Sequence, residues 1–256
     1  MAPEEHRPHA VDIYERIVDD SEEELGRTPG SLACSGLFAG VAIGLAPLAL
    51  ALATTSLGDA KSTALIAALF YPVGYVAVIL GRSQFFTENT LYPVMLTLRR
   101  PQFLGATARL WGIVLATNLA GAFLFALLAG TSDALSQDVQ DKLVSLGAGY
   151  VDAGFTEVFF GAVVTGFVLA LVAWLVESVD GAAARVMVIW ALTTLIALGS
   201  FDHCVASTAA AFVALLDGTI DLGSLAGWFA PALLGNVVGG VLIVTSINYG
   251  QVRHDD

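Results

Sequence analysis

Six stretches of this chain are apolar enough to sit in hydrocarbon, at roughly residues 32–55, 64–98, 104–130, 154–176, 185–216 and 225–248. A helix crosses the bilayer core in about 20 residues, so the second and fifth stretches are too long for one helix each. Both contain polar residues, Thr87-Glu88-Asn89 in one and Asp202-His203 in the other. Hydrocarbon offers unpaired backbone groups no partner, so such an interruption survives only where it lines a cavity or is buried in protein. The pattern predicts six transmembrane helices, of which the second and fifth are each a helix, a non-helical loop and a half helix. Paired breaks of this kind mark a solute path, which points to a channel or carrier.

The rest of the composition agrees. With 56% hydrophobic and 13% charged residues and a mean hydropathy of +0.76 over 256 residues, the chain is too apolar for a soluble domain. Residues 1–30 are acidic and polar with no apolar core of a signal peptide, so no cleavable leader is expected. Threading six spans puts Arg7, Arg16, Arg27, Arg99, Arg100, Arg109, Arg185 and Arg253 on the side of the termini and only Lys61 and Lys142 opposite. The positive-inside bias then predicts a multi-pass protein of the cell membrane with both termini cytoplasmic. A formal net charge of -12 excludes bulk attraction to nucleic acid or anionic lipid. Cys34 and Cys204 lie in different apolar stretches and read as small buried packing residues, not a disulfide.

Three segments follow: 1–30, a cytoplasmic segment; 31–250, a six-helix channel domain; and 251–256, a cytoplasmic tail. Within the first, Val11, Tyr14, Ile17, Val18 and Leu25 recur among acidic residues at helical spacing, which predicts an amphipathic helix over 10–28. It either packs on the membrane domain or gates the pore from below.

An internal repeat constrains the architecture further. The third stretch reads Trp111…Asn118-Leu-Ala-Gly121 and the sixth Trp228…Asn236-Val-Val-Gly239. Thr87 precedes Asn118 by 31 residues and His203 precedes Asn236 by 33. An odd number of spans per half forces the halves into opposite orientations, giving two inverted three-helix repeats whose breaks meet near the midplane. Asn118, Gly121, Asn236 and Gly239 mark close helix packing, because small residues and interhelical hydrogen bonds hold helices together in lipid. The asparagines could alternatively line the pore.

The run Gly81-Arg-Ser-Gln-Phe-Phe-Thr87-Glu-Asn-Thr-Leu-Tyr-Pro93, with Phe201-Asp-His203-Cys-Val-Ala-Ser207 in the fifth stretch, resembles the two broken-helix signatures of the formate/nitrite transporter family. The resemblance spans all six stretches. It implies an aquaporin-like fold, a homopentamer with one pore per subunit, and passage of small monovalent anions of weak acids. There are departures. A lysine of the formate channels falls at about Gly149 and a histidine-bonding asparagine at Gly166, while Asp202 and Ser207 replace glutamate and asparagine. The form places the chain in a divergent branch whose substrate is not to be copied across.

His203 is the main candidate, because imidazole changes charge at modest cost where a fixed ion is expensive. In the mechanism the resemblance implies, an anion gains a proton, with His203 as donor or hydrogen-bond relay, and passes as neutral acid. Thr87 would offer it a hydroxyl or serve as a helix N-cap. Phe85, Phe86 and Phe201 suit apolar constrictions or core packing, and Ser207 falls on the same path. Asp202 would orient the loop or tune His203, and Arg82 is the candidate ion-pair partner of Glu88. No metal set or cofactor motif is present in the sequence, and no enzyme is read from it; the partners expected are a small anion, a proton and the bilayer. The alternatives are an aquaporin-like neutral-solute channel, though paired Asn-Pro-Ala motifs are absent from the sequence, or a membrane protein without transport activity.

Overall fold

The computed structural model describes residues 8–58 and 60–255. His6, Arg7 and the last residue of the 251–256 tail lie outside the described residues, as do the side chains of His254 and Asp255. Among the described residues all regular structure is helical.

Helix α1 (Ala10–Gly26) buries Ile13, Tyr14, Ile17, Val18, Ser21 and Leu25, a stripe at the spacing of one helix face. Helix α2 (Pro29–Ile43) starts on Thr28, whose Oγ1 accepts from Ser31 N, and on Pro29, whose fixed φ suits a first turn. It runs through Gly44 into α3 (Leu45–Leu57), which stops at Gly58 with φ +64°. Next come α4 (Thr63–Ala68), α5 (Pro72–Leu80), a non-helical segment holding the 3-10 turn Glu88–Thr90, and α6 (Tyr92–Arg99). Helices α7 (Leu104–Thr131), α8 (Gln137–Val151) and α9 (Phe155–Ser178) follow. Helix α10 (Ala182–Leu198) is separated by residues 199–205 from α11 (Ala206–Asp217). The chain closes with α12 (Leu222–Val237), a π-helix (Val238–Thr245) and α13 (Ser246–Asp255).

Among the described residues, five continuous runs are long and apolar enough to cross a membrane: Pro29–Leu57, Thr63–Leu80, Pro101–Thr131, Phe155–Ser178 and Leu222–Arg253. Helices α10 and α11 are apolar but shorter. Large apolar side chains such as Leu128, Phe155, Phe160, Met187 and Leu222 are exposed on the helix exteriors, as lipid or a neighbouring subunit requires. This is a multi-pass membrane protein.

The helices pack in two similar sets. Helix α2 lies against α7, and α9 against α12 and the π-helix. Gly121 is the contact in the first set: a Cβ there would come within 2.2 Å of Leu37 O. Gly239 repeats this in the second, at 2.1 Å from Val163 O. No side chain fits either place.

Helix α8 has no counterpart among the sequence expectations. It buries Val139, Leu143 and Gly147, four residues apart, against α11. Helix α1 packs on α6, α9, α7 and α13, so it lies beneath the helix bundle. Its ion pairs run from Arg16 to Asp180 (3.8 Å), Arg99 to Glu15 (2.8 Å), Arg82 to Asp20 (3.1 Å) and Arg100 to Glu22. Exposed pairs contribute about 0–1 kcal/mol each, so the buried stripe carries most of the docking. Cys204 is buried, but Cys34 is exposed on α2, which corrects its reading as a buried packing residue. Its face of the helix, with Phe38, points away from the bundle core.

Candidate functional site

The two non-helical segments are built alike. Helix α5 ends where Gly81 N donates to Ala77 O and Ser83 N to Val78 O, with Arg82 left-handed at φ +49°. Helix α10 ends where Gly199 N donates to Leu195 O and Phe201 N to Ile196 O, with Ser200 also at φ +49°. A left-handed residue with side chain costs about 1–2 kcal/mol, and the same strain is placed at the same point twice.

A buried asparagine then holds each segment. Asn118 Oδ1 accepts from Phe86 N at 2.9 Å, and its Nδ2 donates to Gly36 O and Gln84 O at 2.8 and 2.9 Å. Asn236 Oδ1 accepts from Cys204 N at 2.8 Å, and its Nδ2 donates to Ala162 O and Asp202 O at 2.8 and 3.2 Å. Both are fully buried, and each ties a segment to a neighbouring helix. With every polar atom engaged, they act as anchors.

Thr87 and His203, both at 0% exposure, meet where the segments converge. Their Oγ1 and Nε2 atoms are 3.0 Å apart. His203 Nδ1 lies 3.0 Å from Val205 N and 2.8 Å from Ala206 N, so it accepts two amide hydrogens at the start of α11. A nitrogen accepting twice carries no proton of its own. The one proton of neutral imidazole is therefore on Nε2, which donates to Thr87. The Thr87 hydroxyl hydrogen is left to point elsewhere. Thr87 makes no N-cap bond; His203 caps the other half helix instead.

Aromatic rings enclose this pair. Phe85 stacks on His203 with centroids 5.2 Å apart and 16° between planes, and Tyr75 meets the imidazole edge-on at 5.9 Å. Tyr75 in turn contacts Tyr71, their hydroxyls 3.3 Å apart. On the α1 side Phe85 borders a cavity of about 160 Å³ that also touches Glu24, Gln84, Glu88 and Glu177. On the α8 side Phe201 and Asp202 border one of about 480 Å³ with Gly149, Tyr150 and Glu157. Phe85, stacked on the imidazole, borders the first, and Asp202, next to His203 in the chain, borders the second.

Several candidate residues do other things. Phe86 packs edge-on against Trp111 at 5.4 Å and borders neither cavity. Asp202 accepts from Trp228 Nε1 at 2.7 Å and so orients the loop without touching the imidazole. Ser207 Oγ accepts from His203 N at 3.1 Å, a backbone bracket. The expected Arg82–Glu88 pair does not form, because Arg82 turns out to Asp20 of α1. Glu88 lines the α1-side cavity and has no ion-pair partner among the described residues.

Tyr71, Tyr75 and Glu24 went unread in the sequence. Glu24 sits beside Gln84, whose Oε1 accepts from Asn89 Nδ2 at 3.1 Å. Burial pushes its carboxyl up to about 7, the Gln84 side chain opposing this and the Asp20 carboxylate adding to it. Among the described residues no group of three or more His, Cys, Asp or Glu side chains could hold a metal ion.

The sequence profile of the formate/nitrite transporter family matches residues 11–250. The chain belongs to the formate/nitrite transporter family. It is 31% identical to the inner membrane protein YfdC of Escherichia coli (strain K12) over 249 residues, covering 96% of this chain and 80% of that protein. Among solved structures it is similar to an FNT family ion channel, at a TM-score of 0.84 and 18% identity over 94% of this chain and 99% of that one. A pentameric formate channel with formate bound is also similar, at a TM-score of 0.72 and 18% identity over 92% and 98%. At such identities the likeness is one of fold.

Proposed function

We propose that this formate/nitrite transporter family member carries small weak-acid anions of the formate or nitrite kind across the cell membrane, with Thr87 and His203 at the crossing point. The observation that carries the reading is the buried Thr87–His203 bond, flanked by Phe85, which borders one cavity, and by Asp202, which borders the other. The architecture behind it is six transmembrane helices in two inverted halves, with the second broken between α5 and α6 and the fifth between α10 and α11. The repeated asparagine anchors and left-handed turns support that arrangement. Residues 31–250 form the channel domain. Residues 1–30 and 251–256 are cytoplasmic, and the assembly is a homopentamer like the formate channel that shares its fold.

The physical argument is one of charge. An ion in an apolar passage costs several kcal/mol, whereas the neutral acid of the same solute costs little. Phe85 and Phe201 narrow the passage on either side. Between them the Thr87 hydroxyl hydrogen, free because His203 Nε2–H already serves its oxygen, is donated to a solute oxygen. Protonating Nδ1 would discard two amide hydrogen bonds at a helix N-terminus, whose dipole also opposes positive charge. His203 therefore works as a fixed donor behind Thr87, and the proton that neutralises the anion comes from water. No covalent step or cofactor is involved.

Uptake into proteoliposomes tests this with formate, nitrite, acetate and hydrosulfide under a pH gradient. The native chain should move at least one of them, and His203→Phe and Thr87→Val should slow it about tenfold or more, the loss of one hydrogen bond to a reacting charge. Equal uptake by native and variant chains for every acid would overturn the reading. Water flux without acid flux would show a neutral-solute channel instead.

A further inference from the structure

Two tyrosines bury hydroxyl groups beside the crossing point, and the Thr87–His203 contact uses neither. Tyr71 and Tyr75 stand four residues apart, about one helical turn, so both side chains lie on one face at the start of α5. They are 1% and 0% exposed. Tyr75 meets the His203 imidazole edge-on at 5.9 Å and Phe85 edge-on at 6.2 Å, which places its ring in the aromatic shell of the imidazole. Tyr71 continues from Tyr75 with ring centroids 5.4 Å apart. It is within electrostatic reach of Tyr150 and Asp202, which line the α8-side cavity. Phenylalanine would serve ring packing equally well, so packing does not explain the hydroxyls.

The two hydroxyl oxygens lie 3.3 Å apart, and the bond between them uses one of their two hydrogens. Neither hydroxyl makes another hydrogen bond among the described residues. One tyrosyl hydrogen is left over: on Tyr75, beside the imidazole, when Tyr71 donates, and on Tyr71 when Tyr75 donates. Thr87 holds a second, because its oxygen receives Nε2–H of His203. A buried polar hydrogen without an acceptor is costly, and native proteins hold few of them. Two of them about one imidazole match a solute that brings two acceptor atoms. A hydroxyl also accepts, so the tyrosine pair takes the O–H of a neutral oxyacid as readily as it gives a hydrogen to the anion.

We propose that Tyr71 and Tyr75 set the solute class at the crossing point: with Thr87 they bind the two oxygens of a small oxyacid, a carboxylate or nitrite, and so favour it over hydrosulfide. The single sulfur of hydrosulfide is a weak acceptor. The inference rests on the transport reading above and narrows it. Thr87 donates to one solute oxygen and Tyr75 to the other, while Tyr71 supports Tyr75 by donating to its oxygen. Reversal of the tyrosine bond then moves the free hydrogen to Tyr71. Each step is a hydroxyl rotation, and no O–H bond of the protein breaks.

Tyr75→Phe removes one oxygen atom and keeps the ring. Uptake of formate and of hydrosulfide into proteoliposomes, each corrected for empty vesicles, is read as a ratio, so that a change in the amount of folded protein cancels. The ratio should fall about tenfold in Tyr75→Phe, the scale of one hydrogen bond to a strongly polar solute. In Tyr71→Phe, which keeps the Tyr75 hydroxyl and loses its support, it should fall about threefold. Tyr71→Phe also carries the test alone if Tyr75→Phe does not assemble. Nitrite in place of formate should give the same order. A ratio unchanged or raised in these variants shows rings that only pack and overturns the inference. If His203→Phe and Thr87→Val still slow formate, the transport reading then stands. A native chain that moves hydrosulfide but not formate likewise overturns the inference alone. A native chain that moves no acid faster than empty vesicles overturns both.

Discussion

Replacing His203 removes two separable things, a helix cap and a donor to Thr87. Asparagine is among the best N-cap residues, so His203→Asn should keep the bonds to Val205 N and Ala206 N while losing the reach to Thr87. The expected outcome is thermal stability within about 1 kcal/mol of native, with uptake lost. His203→Phe loses both, and should unfold about 1–3 kcal/mol more easily for two buried amides left unpaired. Melting in detergent beside uptake in vesicles distinguishes the two variants. The anchors behave differently again. Asn118→Ala or Asn236→Ala strands one buried amide and two carbonyls, for an expected loss of about 2–5 kcal/mol in the same melts. These asparagines were legible in the sequence through the Trp…Asn-x-x-Gly echo. The correspondence of the breaks was not. Phe86 N and Cys204 N both bind the asparagine 32 residues ahead, which makes Phe85, not Thr87, the counterpart of His203. The two counterparts stack on each other. Sequence spacing alone could not find this, because a phenylalanine and a histidine share no chemistry that marks them as equivalent.

At the scale of elements, α1 is joined directly to the first non-helical segment through Asp20 with Arg82 and through Glu24 beside Gln84. Gln84 in turn holds Asn89 by its side chain, Asn118 by its carbonyl and Ser35 by its amide. The amphipathic stripe of α1 was readable from periodicity, but this coupling was not, since it joins residues about 60 positions apart. Helix α8 escaped for another reason: its apolar residues are few, and the membrane stretches on either side dominate any hydropathy window. Glu24 makes the docking of α1 depend on pH. Its docked carboxyl titrates near 7 against an ordinary value of 4.5. The docked state binds the proton more tightly, so this contribution is complete below about 4.5 and is lost as pH rises through about 7. Hydrogen exchange of the α1 amides, corrected for intrinsic rates, should speed up between pH 6 and 8 in the native chain. In Glu24→Gln that change should disappear. Native exchange that is level across this range would show that the docked carboxyl titrates near its ordinary value.

At the scale of the whole molecule, each chain holds both cavities and the whole Thr87–His203 contact, so the proposed crossing point lies within one chain. The exposed apolar exterior is a different matter. Side chains such as Phe38, Leu128 and Phe160 must be covered by lipid or by other subunits. In a pentamer of cyclic symmetry the subunits could share one central pore or carry five independent ones, and the location of the contact inside one chain demands the second. Mixing native and His203→Phe chains before assembly discriminates between them. With independent pathways, uptake falls in direct proportion to the variant fraction, so an equal mixture retains about half of native uptake. A pore lined jointly by five subunits and closed by any one variant would retain only about one thirtieth, since few rings of that symmetry would be wholly native. A proportional decline, together with a native mass of about five times 26.6 kDa, is the expected result. A steep decline would place the crossing point on the symmetry axis.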